Sequence, residues 1–217
     1  MWRKVRAVEN KQPGLAGAAA LLIILTLAAV GVAGERPRVL LLGDSLTQGG
    51  DWAGLLPEVQ AVNQGISGET TAMILARLDR AAAVQPDLIF LQAGINDFGR
   101  SGPARYETVL NNHRRIWREL RAARPQARLF LISLFPVSER RFPGWNRAIA
   151  NFNRDLRAQA EKEGLTYIDL HPLLTDEEGQ LRPDLTYDGL HLQKEAYTLW
   201  AEALRPYLTE ALEDERK

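Results

Sequence analysis

The chain has 217 residues, with 27 Lys and Arg balanced by 27 Asp and Glu, three histidines and no cysteine. The missing cysteine removes thiol nucleophiles, disulfide frameworks, zinc knuckles and iron–sulfur ligation. A formal charge of zero lacks the basic surplus of a nucleic-acid binder. A mechanism that needs an imidazole base has only His113, His171 and His191 to draw on.

The apolar residues are unevenly spread. No charged residue occurs from Gln12 to Gly34, and residues 15–33 read LAGAAALLIILTLAAVGVA, with Thr26 the one polar side chain. As a helix this run would span roughly 28 Å, close to the hydrocarbon thickness of a bilayer. Arg3, Lys4, Arg6 and Lys11 precede it, opposed by Glu9 alone, so the positive-inside tendency keeps the N-terminus in the cytoplasm and sends the remainder across. Two readings of residues 1–34 compete. One is a cleaved signal peptide, with Gly31 and Ala33 near the cut. The other is an uncleaved signal anchor, favoured by the length of the apolar run. Either predicts an exported or membrane-anchored domain at residues 35–217, which carries 23 basic and 26 acidic residues. The expected partners are a membrane, where the segment stays uncleaved, and a small-molecule substrate.

Within residues 35–217, apolar runs and helical patterns alternate. RVLLLG at Arg38–Gly43 reads as a buried parallel strand ended by glycine. Residues 59–63, 87–93, 128–134 and 165–170 are four further strand candidates. Helical spacing is predicted over residues 70–80, 103–123, 144–163 and 193–212. Five strands alternating with helices imply an α/β fold with a five-stranded, mainly parallel sheet. The flavodoxin-like order 2-1-3-4-5 is the natural expectation. Ligands in such sheets bind beyond the carboxyl ends of the strands.

Three short motifs fall at those ends: Gly43-Asp44-Ser45-Leu46-Thr47 after the first strand, Asn63-Gln64-Gly65-Ile66-Ser67-Gly68-Glu69-Thr70 after the second, and Gly94-Ile95-Asn96-Asp97 after the third. A fourth, Asp188-Gly189-Leu190-His191, precedes the last helix. Each alone reads as a helix cap or a turn. Together they hold the parts of an acyl-transfer site. A serine hydroxyl needs a neighbouring base to become a nucleophile, and His191 is a candidate for it. Asp188, three residues earlier, is close enough to orient the imidazole. The oxyanion of a tetrahedral intermediate needs preorganised donors. The Ser45 and Gly65 backbone N–H groups and the Asn96 side chain are the candidates.

These four segments, in this order, resemble the blocks of the SGNH hydrolases, the GDSL esterase/lipase family. The resemblance covers about residues 38–205. It implies a three-layer α/β/α sandwich, a Ser-His-Asp triad of Ser45, His191 and Asp188, and no metal or other cofactor. It also favours His191 over His171, since only His191 lies in a matching block. Residues 63–71 are similar to the branch that contains the catalytic subunits of intracellular platelet-activating-factor acetylhydrolase, and residues 146–156 resemble it more loosely. The export segment departs from that branch, so its substrate is not carried over. The implied activity is hydrolysis of carboxylic esters, with short acyl groups favoured because no long lid insertion is evident. A carbohydrate O-acetylesterase, a lysophospholipase or thioesterase on longer chains, and a catalytically silent ligand-binding module are the alternatives.

The remaining candidates are weaker. His113 reads as an exposed residue of the helix 103–123. Asp44 reads as a brace for the nucleophile loop, and Asp97 as a cap. The glycines of residues 43–50 lack the lysine–hydroxyl pair of a phosphate-binding loop. Trp52, Phe98 and Leu190 are candidate substrate-binding residues. Phe135, Phe142 and Trp145 lie on or near loops as lid or core material.

Overall fold

The computed structural model describes residues 36–101 and 106–214, all within the unit Glu35–Lys217. The apolar segment expected at residues 15–33 lies outside the described residues. No helix among the described residues is long and apolar enough to cross a membrane.

The five strands are β1 (Arg38–Gly43), β2 (Gln60–Gly65), β3 (Leu88–Gln92), β4 (Arg128–Ile132) and β5 (Thr166–Ile168). They form one parallel sheet in the order β2-β1-β3-β4-β5, as expected from the sequence. The central strands are buried on both faces, which is why they read as unbroken apolar runs rather than alternating ones. The register is what builds the site. Gly43, the last residue of β1, pairs with Gly65 at the end of β2 and with Gln92 at the end of β3. The three following loops therefore start side by side.

Helices cover both faces, giving the three-layer arrangement. In chain order they are α1 (Ser45–Gln48), α2 (Trp52–Leu55), α3 (Thr71–Leu75), α4 (Leu78–Ala83), α5 (Ile95–Ser101), α6 (Tyr106–Ala123), α7 (Trp145–Lys162), α8 (His171–Leu174) and α9 (Lys194–Asp214). On one face α3 and α4 pack on α6, and α6 on α7. There Phe98, Tyr106 and His113 surround the Phe152 ring. On the other face Phe90 stacks on Phe130 across β3 and β4, and Tyr207 of α9 packs on Phe130. Trp52, Phe135 and Tyr197 meet around Trp200 of the same helix.

Two expectations are corrected, for residues 70–80 and for His113, and the lid-or-core reading of Phe135, Phe142 and Trp145 resolves to core. The helix expected over residues 70–80 is two short helices, interrupted at Arg77 with φ −124° and ψ 21°; the reason is the use of the Arg77 side chain, described below. His113 is fully buried, not exposed. Its Nε2 lies 2.9 Å from the Ala93 carbonyl oxygen, and burial pushes its pKa down to about 4, so it is a neutral core residue at physiological pH. Phe135 is likewise core, while Phe142 and Trp145 are half-buried and pack on each other.

Phe90→Ala removes a buried ring from the centre of the sheet. Chemical denaturation should show a loss of about 3–5 kcal/mol, the usual cost of such a cavity.

Candidate active site

Ser45 is the first residue of α1, directly after β1. The turn is capped by Asp44, whose Oδ1 accepts the Leu46 N–H at 3.0 Å. Below it, the Trp52 indole donates to the Thr47 carbonyl at 2.8 Å. As the first residue of a helix, Ser45 has an N–H with no intrahelical acceptor.

The last motif brings its histidine to this serine. His191 Nε2 lies 3.2 Å from Ser45 Oγ, across 146 positions of sequence. Its Nδ1 lies 2.7 Å from Asp188 Oδ2. The other Asp188 oxygen accepts the backbone N–H groups of Leu190 and His191 at 3.0 and 2.8 Å. Partial burial pushes the Asp188 carboxyl up, but these hydrogen bonds outweigh it and hold the group below the usual carboxylate range. Thr186 locks the turn. Its hydroxyl donates to the His191 carbonyl at 2.6 Å and accepts the Gly189 N–H at 2.9 Å. Gly189 has φ +88°, and a Cβ there would lie 2.6 Å from Ser138 Cβ, so only glycine fits.

Asn96 is the second residue of α5, just beyond the end of β3. Its side-chain amide donates one hydrogen to the Glu69 carbonyl at 3.0 Å; an amide nitrogen has two. Asp97, expected as a cap, lies inside α5 and reaches across to the second motif. It accepts the N–H and the hydroxyl of Thr71, at 2.9 Å each, and Asn112 donates to that hydroxyl at 3.0 Å. The third motif is thereby pinned to the second.

Arg77 holds the second motif to the first. Its guanidinium forms a buried ion pair with Glu69, the two side chains being 10% and 7% exposed. It also donates to the Gln64 side chain at 3.3 Å and to the backbone carbonyls of Gln64 at 2.9 Å and Gly43 at 3.4 Å. Sequence reasoning missed this group. The only signal was an arginine on a helix otherwise carrying Ile74, Ala76 and Leu78. Tyr187 was missed too. It is 70% exposed, and its ring lies nearly parallel to that of His191 with centroids 5.9 Å apart.

Several predicted site residues sit elsewhere than expected. The Gly65 N–H already donates to Asn63 Oδ1 at 2.9 Å. What requires glycine at 65 is contact with α1, since a Cβ would fall 2.2 Å from the Gln48 nitrogen. Gly65 is thus a packing position, with its amide engaged. Trp52 and Phe98, at 2% and 1% exposure, are core residues and do not line a substrate surface. Leu190 is half-buried beside His191. His171, the rival base, lies at the far edge of the sheet after β5, with Nδ1 3.1 Å from the Thr175 hydroxyl and its pKa lowered by burial; its neighbours Asp169 and Arg157 pair with each other.

Asp44 is electrostatically unusual. Burial, together with the negative charges of Asp97 and Glu69, pushes its pKa up to about 7, against the opposing effects of the Leu46 N–H and His191. The folded protein therefore binds a proton at Asp44 that the unfolded chain releases near pH 4. This contribution to stability is complete below pH 4 and is lost as the pH rises to about 7. Denaturation measured from pH 4 to 8 should show that decline, and Asp44→Asn, which keeps the capping oxygen, should flatten it. Removing Arg77 leaves the buried Glu69 charge uncompensated. Arg77→Ala should cost about 3–5 kcal/mol, and Arg77→Ala/Glu69→Ala should be less destabilised than the two single losses added together.

The GDSL-like lipase/acylhydrolase family model matches residues 41–199. A curated relative, platelet-activating factor acetylhydrolase IB subunit alpha1 of Bos taurus, is 27% identical over 186 residues, covering 82% of this chain and 78% of that protein. Among solved structures, a GDSL-like lipase from Bacteroides thetaiotaomicron superposes with a TM-score of 0.72 at 22% identity, covering 81% of this chain and 89% of that one. A catalytic mutant of an acetylxylan esterase from Geobacillus stearothermophilus gives 0.66 at 21% identity, over 81% and 95%. The fold, the order of the four motifs and the family match lead to one assignment: the chain belongs to the GDSL-like lipase/acylhydrolase family.

Proposed function

We propose that the protein hydrolyses carboxylic esters through an acyl-enzyme on Ser45. The observation that carries this reading is the unbroken line from the Ser45 hydroxyl through His191 to Asp188, at 3.2 and 2.7 Å. Ser45 Oγ attacks the ester carbonyl while His191 Nε2 takes its proton. Asp188 holds the imidazole in the tautomer that exposes the Nε2 lone pair, then stabilises the imidazolium. The Ser45 N–H and the second hydrogen of the Asn96 amide face the developing oxyanion. Gly65 joins them only by giving up its bond to Asn63, so this reading rests on two donors. His191 next protonates the leaving alcohol. Water, deprotonated by the same nitrogen, then releases the acid.

The acyl group is short in this reading. The support is the curated relative, which is by name an acetylhydrolase. The apolar stretch at residues 15–33 exports the domain or anchors it in a membrane, so cell fractionation should recover the protein outside the cytoplasm.

Ser45→Ala should lower kcat for p-nitrophenyl acetate by about a thousandfold or more, the usual consequence of losing a triad nucleophile. A fluorophosphonate should label the wild-type serine and spare the variant. Full activity in Ser45→Ala would reject the mechanism. A series of acetyl, octanoyl and palmitoyl esters tests the acyl preference, with kcat/KM expected to fall along it.

A further inference from the structure

β4 ends at Ile132, but the chain runs on buried through residues 133–137 without forming a strand. Buried backbone N–H and C=O groups need partners. Two asparagines of α7 supply them. Asn153 accepts the Leu134 N–H and donates to the Leu134 carbonyl, at 2.8 Å each. Asn146 accepts the Val137 N–H at 2.9 Å and donates to the Val137 carbonyl at 2.8 Å. We propose that Asn146 is a positioning residue for the catalytic histidine: through Val137 and Ser138 it sets where His191 stands relative to Ser45. The proposal rests on the esterase reading above and adds a residue outside the four motifs.

Three observations carry it. The first is the match between helix and segment. A carboxamide presents an acceptor and two donor hydrogens, so it can pair with both polar groups of one residue, as a neighbouring strand would. Extended chain covers about 10 Å from Leu134 to Val137. Two helical turns separate Asn146 from Asn153, a rise of about 10.5 Å. The two clamps therefore grip the segment at both ends. The Asn146 carboxamide has no freedom left, since its remaining hydrogen goes to Glu139 Oε2 at 3.2 Å. Glu139 also accepts the N–H of Gly144, which precedes α7.

The second is the connection to the catalytic turn. Ser138 follows Val137 directly, and its N–H donates to the Gly189 carbonyl at 2.8 Å. The two chains are in close contact there, because a Cβ on Gly189 would fall 2.6 Å from Ser138 Cβ. The Val137 carbonyl also accepts the Leu181 N–H at 3.2 Å, which ties in the chain leading to the turn. Asn146 thus holds the residue next to the one that grips Gly189, and Gly189 lies between Asp188 and His191.

The third is the division of restraints on the turn. The Thr186 hydroxyl and the Asp188 carboxylate bond to groups within the turn itself. Such bonds fix its shape, but they move with it and do not fix its distance from Ser45. That distance needs a restraint running to the sheet, because Ser45 directly follows the turn at the end of β1. The segment after β4 provides one, since β4 is paired with β3 and β3 with β1. Asn146 completes that path. The contact it serves, 3.2 Å between His191 Nε2 and Ser45 Oγ, has little slack, and a displacement of about 1 Å can cost about a hundredfold in rate.

The test uses the full chain in detergent solution. Asn146→Ala removes both bonds to Val137. It should lower kcat for p-nitrophenyl acetate by about ten- to a hundredfold and leave KM within about twofold, because a misplaced base weakens the transition state and not substrate binding. Labelling of Ser45 by a fluorophosphonate should slow by a similar factor. Asn146→Asp keeps the acceptor for the Val137 N–H and loses the donor to its carbonyl, so it should recover part of the rate, with a loss of about three- to tenfold. Phe90→Ala, a cavity in the middle of the sheet, is the comparison: its folded fraction should keep kcat within about twofold of the wild type. Unchanged kcat in both Asn146 variants, a loss confined to KM, an equal loss of kcat in Phe90→Ala, or loss of the fold in both Asn146 variants overturns the positioning role while the esterase reading stands. No hydrolysis by the wild type, with no fluorophosphonate labelling of its Ser45, overturns both.

Discussion

The carboxyl end of the sheet depends on one buried ion pair. Arg77 and Glu69 neutralise each other out of solvent, and the same guanidinium holds the carbonyl of Gly43, which ends β1, and that of Gln64, one residue before the end of β2. A buried charge pair contributes little net stability when it is intact, because desolvation offsets most of the attraction. Its consequence is geometric. Arg77 has five donors in a fixed plane, and they reach Gly43, Gln64 and Glu69 together only if the nucleophile turn and the second loop stand in one arrangement. Glu69 then offers its own carbonyl to Asn96, which extends the constraint to the third strand. The break between α3 and α4 is what allows the side chain to reach inward.

Around this clamp the site gathers acids of unlike character. Asp188 is accessible and hydrogen-bonded to donors that favour its charged form. Asp44 is buried close to Asp97 and Glu69 and favours its neutral form. Glu69 is matched by Arg77, and Asp97 is held by Thr71. One carboxylate thus remains charged beside the histidine, where an imidazolium needs a counter-charge. The others are spent on holding three loops together. Burial and partner decide the division, since all four are ordinary carboxyl groups in the unfolded chain.

Much of the fold was legible because the relevant signals are local. Arg38–Gly43 and Leu88–Gln92 are apolar on every residue but the last or first, as strands covered on both faces must be. The helices α6 and α7 announced themselves through apolar spacing. The failures all involve distant partners. His113 looked exposed because its reasons for burial, the Ala93 carbonyl 20 residues back and the Phe152 ring far ahead, cannot be seen from its own helix. Arg77 interrupts a helix for partners 34 and 13 positions away. Trp52 and Phe98 lay near motif segments, and nearness in sequence was mistaken for a place on the surface. Gly65 was assigned to the chemistry when its role is to let α1 approach β2.

By itself, the sequence determined the alternation of strands and helices, the parallel sheet and the four motif segments with Ser45, Asn96, Asp188 and His191 in them, because hydrophobic period and turn chemistry are written over a few neighbouring residues. Tertiary structure alone decided which imidazole meets the serine, across 146 positions, which amides are already engaged, and which acids are charged. Those properties depend on distances, burial and competing partners, and these exist only once the strands have set their register.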